Sequence, residues 1–361
     1  MAVSTTLGPR IERFETLDGS IVYDVEVAPC SGGGTRLAPD LDEAEVCLLA
    51  RAMTYKLAVL ELPIGGAKIG LRCAPRERAE TLERFRREIA ERLEQGTLMT
   101  GPDLGTTEAD FAGLPRPGER AGVAALSVGG VPAEELLTGC GVVSAIEAAL
   151  GGTLRHRAVA LEGFGKMGAS IARELAARGG RIVAVSTLAG CAVAEPGTHF
   201  PVERLLAARE RLGDGLIGAL VVEVRRPEAV WSAACDVLVP GARPGALDEH
   251  RAQRVRADIV VPVANAPYTA AGLEVLCARG IDAHADFVAS AGGAMAYLSP
   301  RIAGARDVEE ARTAMDGLMG AIVREALEHH DGPYAGAVAR AERFLRTWLA
   351  PTERPDGPPL A

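Results

Sequence analysis

Residues 158–187 constrain this chain more than any other stretch. Ala158-Val159-Ala160-Leu161-Glu162 reads as an apolar strand, and Gly163-Phe164-Gly165-Lys166-Met167-Gly168 follows it with no spacer. From Ala169 to Arg178 the pattern is helical, with Ile171, Leu175 and Ala176 inward; Gly179-Gly180 ends it, and Arg181 to Ser186 reads as a second strand. In such a unit the first glycine permits a tight turn, the second lets the backbone approach a pyrophosphate, and the third lets helix pack on strand. The free N–H groups at the helix N-terminus then face the phosphates. A lone G-x-G-x-x-G is a weak signal, and the alternative is a glycine-rich turn of some other α/β protein. Between a strand and a helix, in a unit of this length, it predicts a dinucleotide site formed by Gly163, Phe164, Gly165, Lys166, Met167 and Gly168. The second strand of such units usually ends in an acid that binds the ribose 2′-hydroxyl. Here that position is Thr187, and no arginine follows within several residues, so NAD and NADP both stay open.

The pattern extends along the chain. Apolar segments at 217–224, 236–240, 258–263 and 281–288 alternate with helical stretches, which predicts a doubly wound parallel sheet. Upstream, residues 20–29 alternate as a strand, with Ile21, Tyr23 and Val25 opposite Val22, Asp24 and Glu26. Residues 41–59 read as a helix, and 76–95 as an amphipathic helix with Leu82, Phe85, Ile89 and Leu93 inward. Further helices are expected over 134–150, 306–330 and 335–349, with a Pro-rich tail from Pro351 that should fray. A length of 361 residues suits two domains, and the Pro- and Gly-rich stretch 115–133 is the expected boundary.

Charge and cysteine usage exclude several classes. A net charge of −9 with no long basic run argues against a nucleic-acid or anionic-membrane surface. Seven scattered cysteines without a C-x-x-C suggest a reduced, cytoplasmic protein. Residues Met1 to Arg10 carry no apolar signal-peptide core, and no apolar run reaches membrane-spanning length. None of the six histidines has a partner at metal-site spacing, so no metal is expected.

Lysine is scarce here, which draws attention to Lys56, in Met53-Thr54-Tyr55-Lys56, and Lys68, in Gly65-Gly66-Ala67-Lys68-Ile69-Gly70. Two lysines flanking a glycine-rich loop suggest a shared anionic ligand. One can pair a carboxylate while the other, with its pKa lowered by burial and a neighbouring ammonium, moves protons. Two solvated surface lysines are the alternative. Asp103, in Gly101-Pro102-Asp103-Leu104-Gly105-Thr106-Thr107, reads by itself as a turn residue.

Taken in order, these segments resemble the glutamate/leucine/phenylalanine/valine dehydrogenase family. The resemblance runs from Gly33 to Gly293. It takes in Gly33-Gly34-Thr35-Arg36-Leu37, both lysine segments, Pro102-Asp103-Leu104-Gly105-Thr106-Thr107, Thr138-Gly139-Cys140-Gly141-Val142, the glycine fingerprint, Cys235-Asp236-Val237-Leu238-Val239-Pro240, Ala264-Asn265 and Ala291-Gly292-Gly293. It implies reversible oxidative deamination of an amino acid to a 2-oxo acid and ammonium. In that chemistry Lys56 binds the substrate α-carboxylate, Lys68 polarises the reacting carbon and activates water, and Asp103 exchanges protons with the amino nitrogen. Thr138 and Asn265 contact the nicotinamide end of the cofactor, and Ala264 also lies at the cofactor site. The resemblance also implies a homo-oligomer and an active-site cleft whose closure excludes water. The expected fold is thus α/β with two domains. Residues 1–133 form a substrate-binding and oligomerisation domain with a mixed sheet, joined by C-terminal helices 311–361. Residues 134–310 form a Rossmann-type dinucleotide-binding domain.

Three departures from the family pattern refine this. Ser290 stands where the family has an asparagine before Ala-Gly-Gly. Gly32 replaces the lysine that holds glutamate's side-chain carboxylate, and Tyr297 replaces the serine that assists it. The Ser290 change bears on turnover and amine contact, while Gly32 and Tyr297 imply an apolar or aromatic substrate rather than glutamate, with Gly32, Gly33, Ser290 and Tyr297 around it. Val185 to Arg209 looks closer to the glutamate enzymes, whereas Gly33 to Leu37 looks closer to the leucine and phenylalanine enzymes. Two rival readings are a catalytically silent homologue with a ligand-binding or regulatory role, for which Ser290 argues, and an oxidoreductase acting on a related carbonyl or imine.

Overall fold

The computed structural model describes residues 8–25, 30–115, 123–124, 126–221, 223–302 and 304–361. Two compact units emerge: Met1–Ala121 with Ala339–Pro359, and Gly122–Val338 with Leu360–Ala361. The boundary therefore precedes the expected 133/134, although residues 116–122 and 125 of the Pro- and Gly-rich stretch lie outside the described residues.

In the first unit, β1 (Arg10–Arg13), β2 (Gly19–Tyr23), β3 (Ser31–Leu37), β4 (Gly65–Leu71) and β5 (Leu98–Pro102) form a mixed sheet in the order β1-β2-β4-β3-β5. β1/β2 and β2/β4 pair antiparallel, while β4/β3 and β3/β5 pair parallel. The strand expected over 20–29 stops at Tyr23, and its last four residues are outside the described set. Helix α1 (Glu43–Val59) starts at Asp42, whose carboxylate accepts from the Glu45 N–H at 2.7 Å, a standard N-cap. Helix α2 (Arg78–Glu94) buries the four predicted residues Leu82, Phe85, Ile89 and Leu93 in one cluster with Ala67, Ile69 and Leu71.

The period-two alternation of β4 gives Ala67, Ile69 and Leu71 to that cluster and turns its even-numbered residues to the α1 side. A Cβ on Gly66 would stand 2.3 Å from the Ala50 carbonyl and the Thr54 N–H, and one on Gly70 would stand 2.5 Å from Val46 Cγ2. Glycine at these two positions lets α1 lie directly on the sheet. Lys68 lies between them in sequence and points to the same side of the strand.

The second unit opens with a short hairpin, β6 (Ser127–Val128) and β7 (Val131–Pro132), and helix α3 (Ala133–Ala149). The strand–turn–helix–strand unit follows as β8 (Ala158–Glu162), α4 (Lys166–Ala177) and β9 (Arg181–Thr187), then β10 (Gly190–Val193) and α5 (Val202–Leu212). Next come β11 (Val237–Pro240), α6 (Glu249–Ala252), β12 (Ile259–Val260), α7 (Ala270–Ala278), β13 (Asp282–Ala283), α8 (Asp286–Ala289), α9 (Gly292–Ile302) and α10 (Val308–Leu327), then α11 (Pro333–Trp348), whose residues from Ala339 on belong to the first unit. The sheet order is β10-β9-β8-β11-β12-β13, parallel throughout except for β10, which turns back antiparallel on β9. The chain reverses between β8 and β11, the switch point where such sheets bind ligands beyond their strand ends.

Three expectations need correction. Among the described residues of 217–224 no strand forms: Gly213–Ala219 is a 3-10 helix with Leu216 and Ile217 buried, and the edge position belongs to the β10 hairpin. Helix α10 stays in the second unit, and only residues 339–359 rejoin the first. The tail is docked rather than frayed, because Arg51 donates to Asp356 Oδ1 and to the Gly357 carbonyl, both at 2.8 Å. All seven cysteines are free, and no helix among the described residues is long and apolar enough to cross a membrane.

His284, just past β13, is 3% exposed, and its Nε2 has no hydrogen-bond partner among the described residues. Burial lowers its pKa to about 4. Below about pH 6.5 the unfolded chain binds a proton at this histidine that the native chain refuses. Its contribution to stability is therefore intact above pH 6.5 and is lost as pH falls from 6.5 to 4. The loss is on the order of 3 kcal/mol. Urea unfolding of the wild-type protein and His284→Asn should show their stability difference moving by that amount between pH 7 and pH 4. A difference independent of pH would show that His284 titrates normally.

Candidate active site

The chain's three lysines are Lys56, Lys68 and Lys166. Lys68 is 4% exposed, and its Nζ lies 2.6 Å from Asp103 Oδ2. The same oxygen accepts from Arg36 Nε at 3.0 Å, and the Arg36 guanidinium also pairs with Glu45 of α1. Asp103 is a turn residue whose side chain also reaches Lys68 and Arg36. Its N–H donates to Thr106 Oγ1 at 2.9 Å, and that hydroxyl lies 2.8 Å from the Thr35 carbonyl of β3, to which it donates. Gly105, at φ +81, brings the turn against the Leu37 carbonyl, where a Cβ would stand only 1.9 Å away. The turn at the end of β5 is thereby fixed to β3, and Asp103 faces Lys68.

The electrostatics follow from this packing. Burial lowers the pKa of Lys68; Asp103 raises it and Arg36 lowers it further. Burial pushes the Asp103 carboxyl up, but Lys68 and Arg36 outweigh it and hold the group well below the usual carboxylate range. The result is a committed carboxylate beside an amine that gives up its proton more easily than a surface lysine.

Gly33 and Gly34 serve this geometry. A Cβ on Gly33 would lie 1.7 Å from the Ala67 carbonyl, and one on Gly34 would lie 3.0 Å from Asp103 Cβ and 3.4 Å from Lys68 Nζ. Gly32 is buried on β3, where a Cβ would meet only carbon among its nearest atoms: Met99 Cε at 3.3 Å and Ile64 Cγ2 at 3.8 Å. Lys56 is buried near the end of α1.

In the second unit Gly163 adopts φ +90, and a Cβ there would lie 3.3 Å from Gly241, in the loop after β11. A Cβ on Gly168 would lie 2.6 Å from the Gly163 carbonyl, which is the close helix–strand packing expected of the third glycine. Gly165 caps α4 at φ −80, and a Cβ on it would meet nothing within 4 Å. The residues therefore fit a dinucleotide: a backbone cradle open at Gly165, with the N-terminus of α4 behind it. Phe164 is buried, Met167 half-buried, and Lys166 extends toward Glu135, 3.5 Å away. Glu162 was missed in the sequence. Its Oε2 accepts from the Gly241 and Ala242 N–H groups, both at 2.8 Å, and so joins the loops on either side of the switch point.

Other expected residues are tied into their own helices and turns. The Thr187 hydroxyl donates to the Asp214 carbonyl at 2.7 Å. The Thr138 hydroxyl donates to the Glu134 carbonyl at 2.8 Å, and the Ser290 hydroxyl to the Asp286 carbonyl at 2.7 Å. Tyr297 packs against the cluster containing Leu137 and Ala296, with its hydroxyl 3.3 Å from Glu134 Oε2. Ala264 is buried, its N–H donating to the Pro240 carbonyl at 3.1 Å, and Asn265 follows it half-exposed. Among the described residues the possible metal ligands that gather are His329, His330 and Asp331, exposed or half-exposed at one turn.

Residues 129–343 match the family model described as Glutamate/Leucine/Phenylalanine/Valine dehydrogenase, and residues 7–115 match the Glu/Leu/Phe/Val dehydrogenase dimerisation domain. The chain is 32% identical over 279 residues to an NAD-specific glutamate dehydrogenase of Staphylococcus aureus (strain COL), covering 72% of this chain but 66% of that protein, just under two thirds of its length. Among solved structures it is similar to the leucine-bound hetero-hexameric glutamate dehydrogenase of Thermus thermophilus, with 28% identity and a TM-score of 0.75 over 92% of this chain and 86% of that one. The L-tryptophan dehydrogenase of Nostoc punctiforme shares the fold at 20% identity, with a TM-score of 0.63 over 95% and 98% of the two chains.

Proposed function

The chain belongs to the glutamate/leucine/phenylalanine/valine dehydrogenase family, and from that premise we propose that it catalyses the reversible NAD(P)-dependent oxidative deamination of an apolar or aromatic L-amino acid. The observation that carries this reading is the buried Lys68–Asp103 pair, 2.6 Å apart. Lys56 binds the substrate α-carboxylate. Lys68, as the neutral amine, takes a proton from the water that attacks the imine carbon, and as the ammonium it polarises the carbonyl oxygen. Asp103 accepts a proton from the substrate ammonium and returns one to the leaving nitrogen. Gly163, Gly165 and Gly168 hold the dinucleotide, with Thr138 and Asn265 toward its nicotinamide end. When bound, the nicotinamide ring supplies the hydride acceptor. A homo-oligomer is part of the same proposal.

The substrate class rests on Gly32. Where the family's glutamate enzymes place a lysine, this strand has no side chain, and the nearest neighbours are the carbons of Met99 and Ile64. Burying glutamate's second carboxylate without a cation costs several kcal/mol. With ammonium and reduced cofactor, kcat/KM for 4-methyl-2-oxopentanoate or phenylpyruvate should therefore exceed that for 2-oxoglutarate by at least about 100-fold. Equal or better use of 2-oxoglutarate would overturn the substrate class while leaving the reaction type standing.

A further inference from the structure

We propose that Arg36 is the positioning residue of the Lys68–Asp103 pair: clamped by Glu45, its guanidinium fixes Asp103 Oδ2 and keeps a permanent positive charge beside Lys68. The inference rests on the reaction proposed above.

Asp103 Oδ2 is shared by two cations, Lys68 Nζ at 2.6 Å and Arg36 Nε at 3.0 Å. Lys68 must leave that oxygen to work on substrate and return to it afterwards. A carboxylate held by a single lysine would swing with it. Arg36 is the second anchor: it is buried, it sits on a strand paired on both sides, and Glu45 of α1 holds its other end. A guanidinium suits this task because it donates along two edges at once and stays charged at all relevant pH.

The charged groups facing Lys68 come from each element around it. Asp103 comes from the end of β5, Arg36 from β3, and Glu45 from α1. The acid that follows β2, Asp24, is taken by Arg51 Nε and the Thr54 hydroxyl, each at 2.6 Å. Asp103 and Glu45 favour the ammonium, and Arg36 opposes it. Without Arg36, both Lys68 and Asp103 would hold their protons to higher pH.

Two variants separate charge from geometry. Arg36→Gln keeps a planar donor and loses the charge, while Arg36→Lys keeps the charge and loses the fork. In oxidative deamination the rising limb of kcat against pH reports loss of the Lys68 proton. That limb should move to higher pH by on the order of one unit in Arg36→Gln and stay near the wild-type position in Arg36→Lys, whose kcat falls at every pH. The limb's position does not depend on how much of a variant folds, so a merely structural role would lower kcat in both and move neither. The second readout needs no turnover. The ¹³C shift of the Asp103 carboxyl, identified by its loss in Asp103→Asn, should titrate at higher pH in Arg36→Gln than in wild type. If wild type turns over no 2-oxo acid, the proposed reaction falls, and this titration still decides the role of Arg36. An unmoved Asp103 titration, or an unmoved limb in Arg36→Gln, overturns it.

Discussion

Replacing Lys68 by alanine is expected to reduce kcat by about 10²- to 10⁴-fold, the range that a positioned proton-transferring group contributes, while NADH binding is retained. The basis is spatial as well as chemical. Lys68 is the even-numbered β4 residue between two glycines that seat α1 on the sheet, and its amine is buried against Asp103. The dinucleotide cradle is built by a separate segment of the chain, so its affinity should not follow. The remaining carboxylate still has Arg36, so the variant keeps a partner for its buried charge. Small alkylamines added to Lys68→Ala should restore part of the rate by filling the vacated space. Steady-state kinetics with calorimetric titration of NADH checks both halves. Wild-type turnover in Lys68→Ala would remove Lys68 from the mechanism, and equal losses of rate and cofactor affinity would make its role structural.

Gly165→Ala should do the reverse, losing the cofactor and keeping the fold. The backbone there has φ −80, which alanine accepts, and no protein atom lies within 4 Å of the new Cβ. With the dinucleotide held as proposed, the added methyl would enter the space its pyrophosphate takes. An extra methyl in a packed contact costs about 1–3 kcal/mol, so Kd for NADH should rise by roughly one to two orders of magnitude with Tm unchanged. Gly168→Ala is the contrast. Its Cβ would stand 2.6 Å from a backbone oxygen, so the helix must move off the strand and Tm should fall. Thermal melts beside NADH titrations separate the two; unchanged NADH affinity in Gly165→Ala would mean that the phosphates do not approach this glycine.

Local pattern carried much of this structure. The unit from Ala158 to Thr187 was legible because its three glycines each answer a local backbone demand. Helices α1 and α2 were legible from the spacing of their apolar residues, α2 most plainly from the inward stripe Leu82, Phe85, Ile89 and Leu93. What escaped were features set by contacts distant in sequence. Asp103 looked like a turn residue, and it is one; only the pairing of β3 with both β4 and β5 brings that turn to Lys68. Arg36 and Glu162 carried a readable signal, a charge inside or ending an otherwise small or apolar strand, which needs a partner once buried. The partners themselves, Asp103 with Glu45 and the Gly241–Ala242 turn, lie too far along the chain for periodicity to reveal. The 217–224 stretch misled because apolar composition alone does not separate a strand from a buried 3-10 turn. Helix α10 went to the wrong unit because its buried face is settled by packing on α3, which no local rule encodes.

On the reaction proposed here, nitrogen is exchanged at the substrate's α-carbon with hydride transfer, through Lys68 and Asp103. The most direct measurement supplies ¹⁵N-ammonium, NADH or NADPH and phenylpyruvate or 4-methyl-2-oxopentanoate, and follows cofactor oxidation together with the product by mass spectrometry. Wild type should yield one ¹⁵N-labelled L-amino acid per reduced cofactor consumed, and Lys68→Ala should form it about 10²- to 10⁴-fold more slowly. Cofactor oxidation that yields an unlabelled 2-hydroxy acid, or bound cofactor with no turnover of any 2-oxo acid, would contradict it.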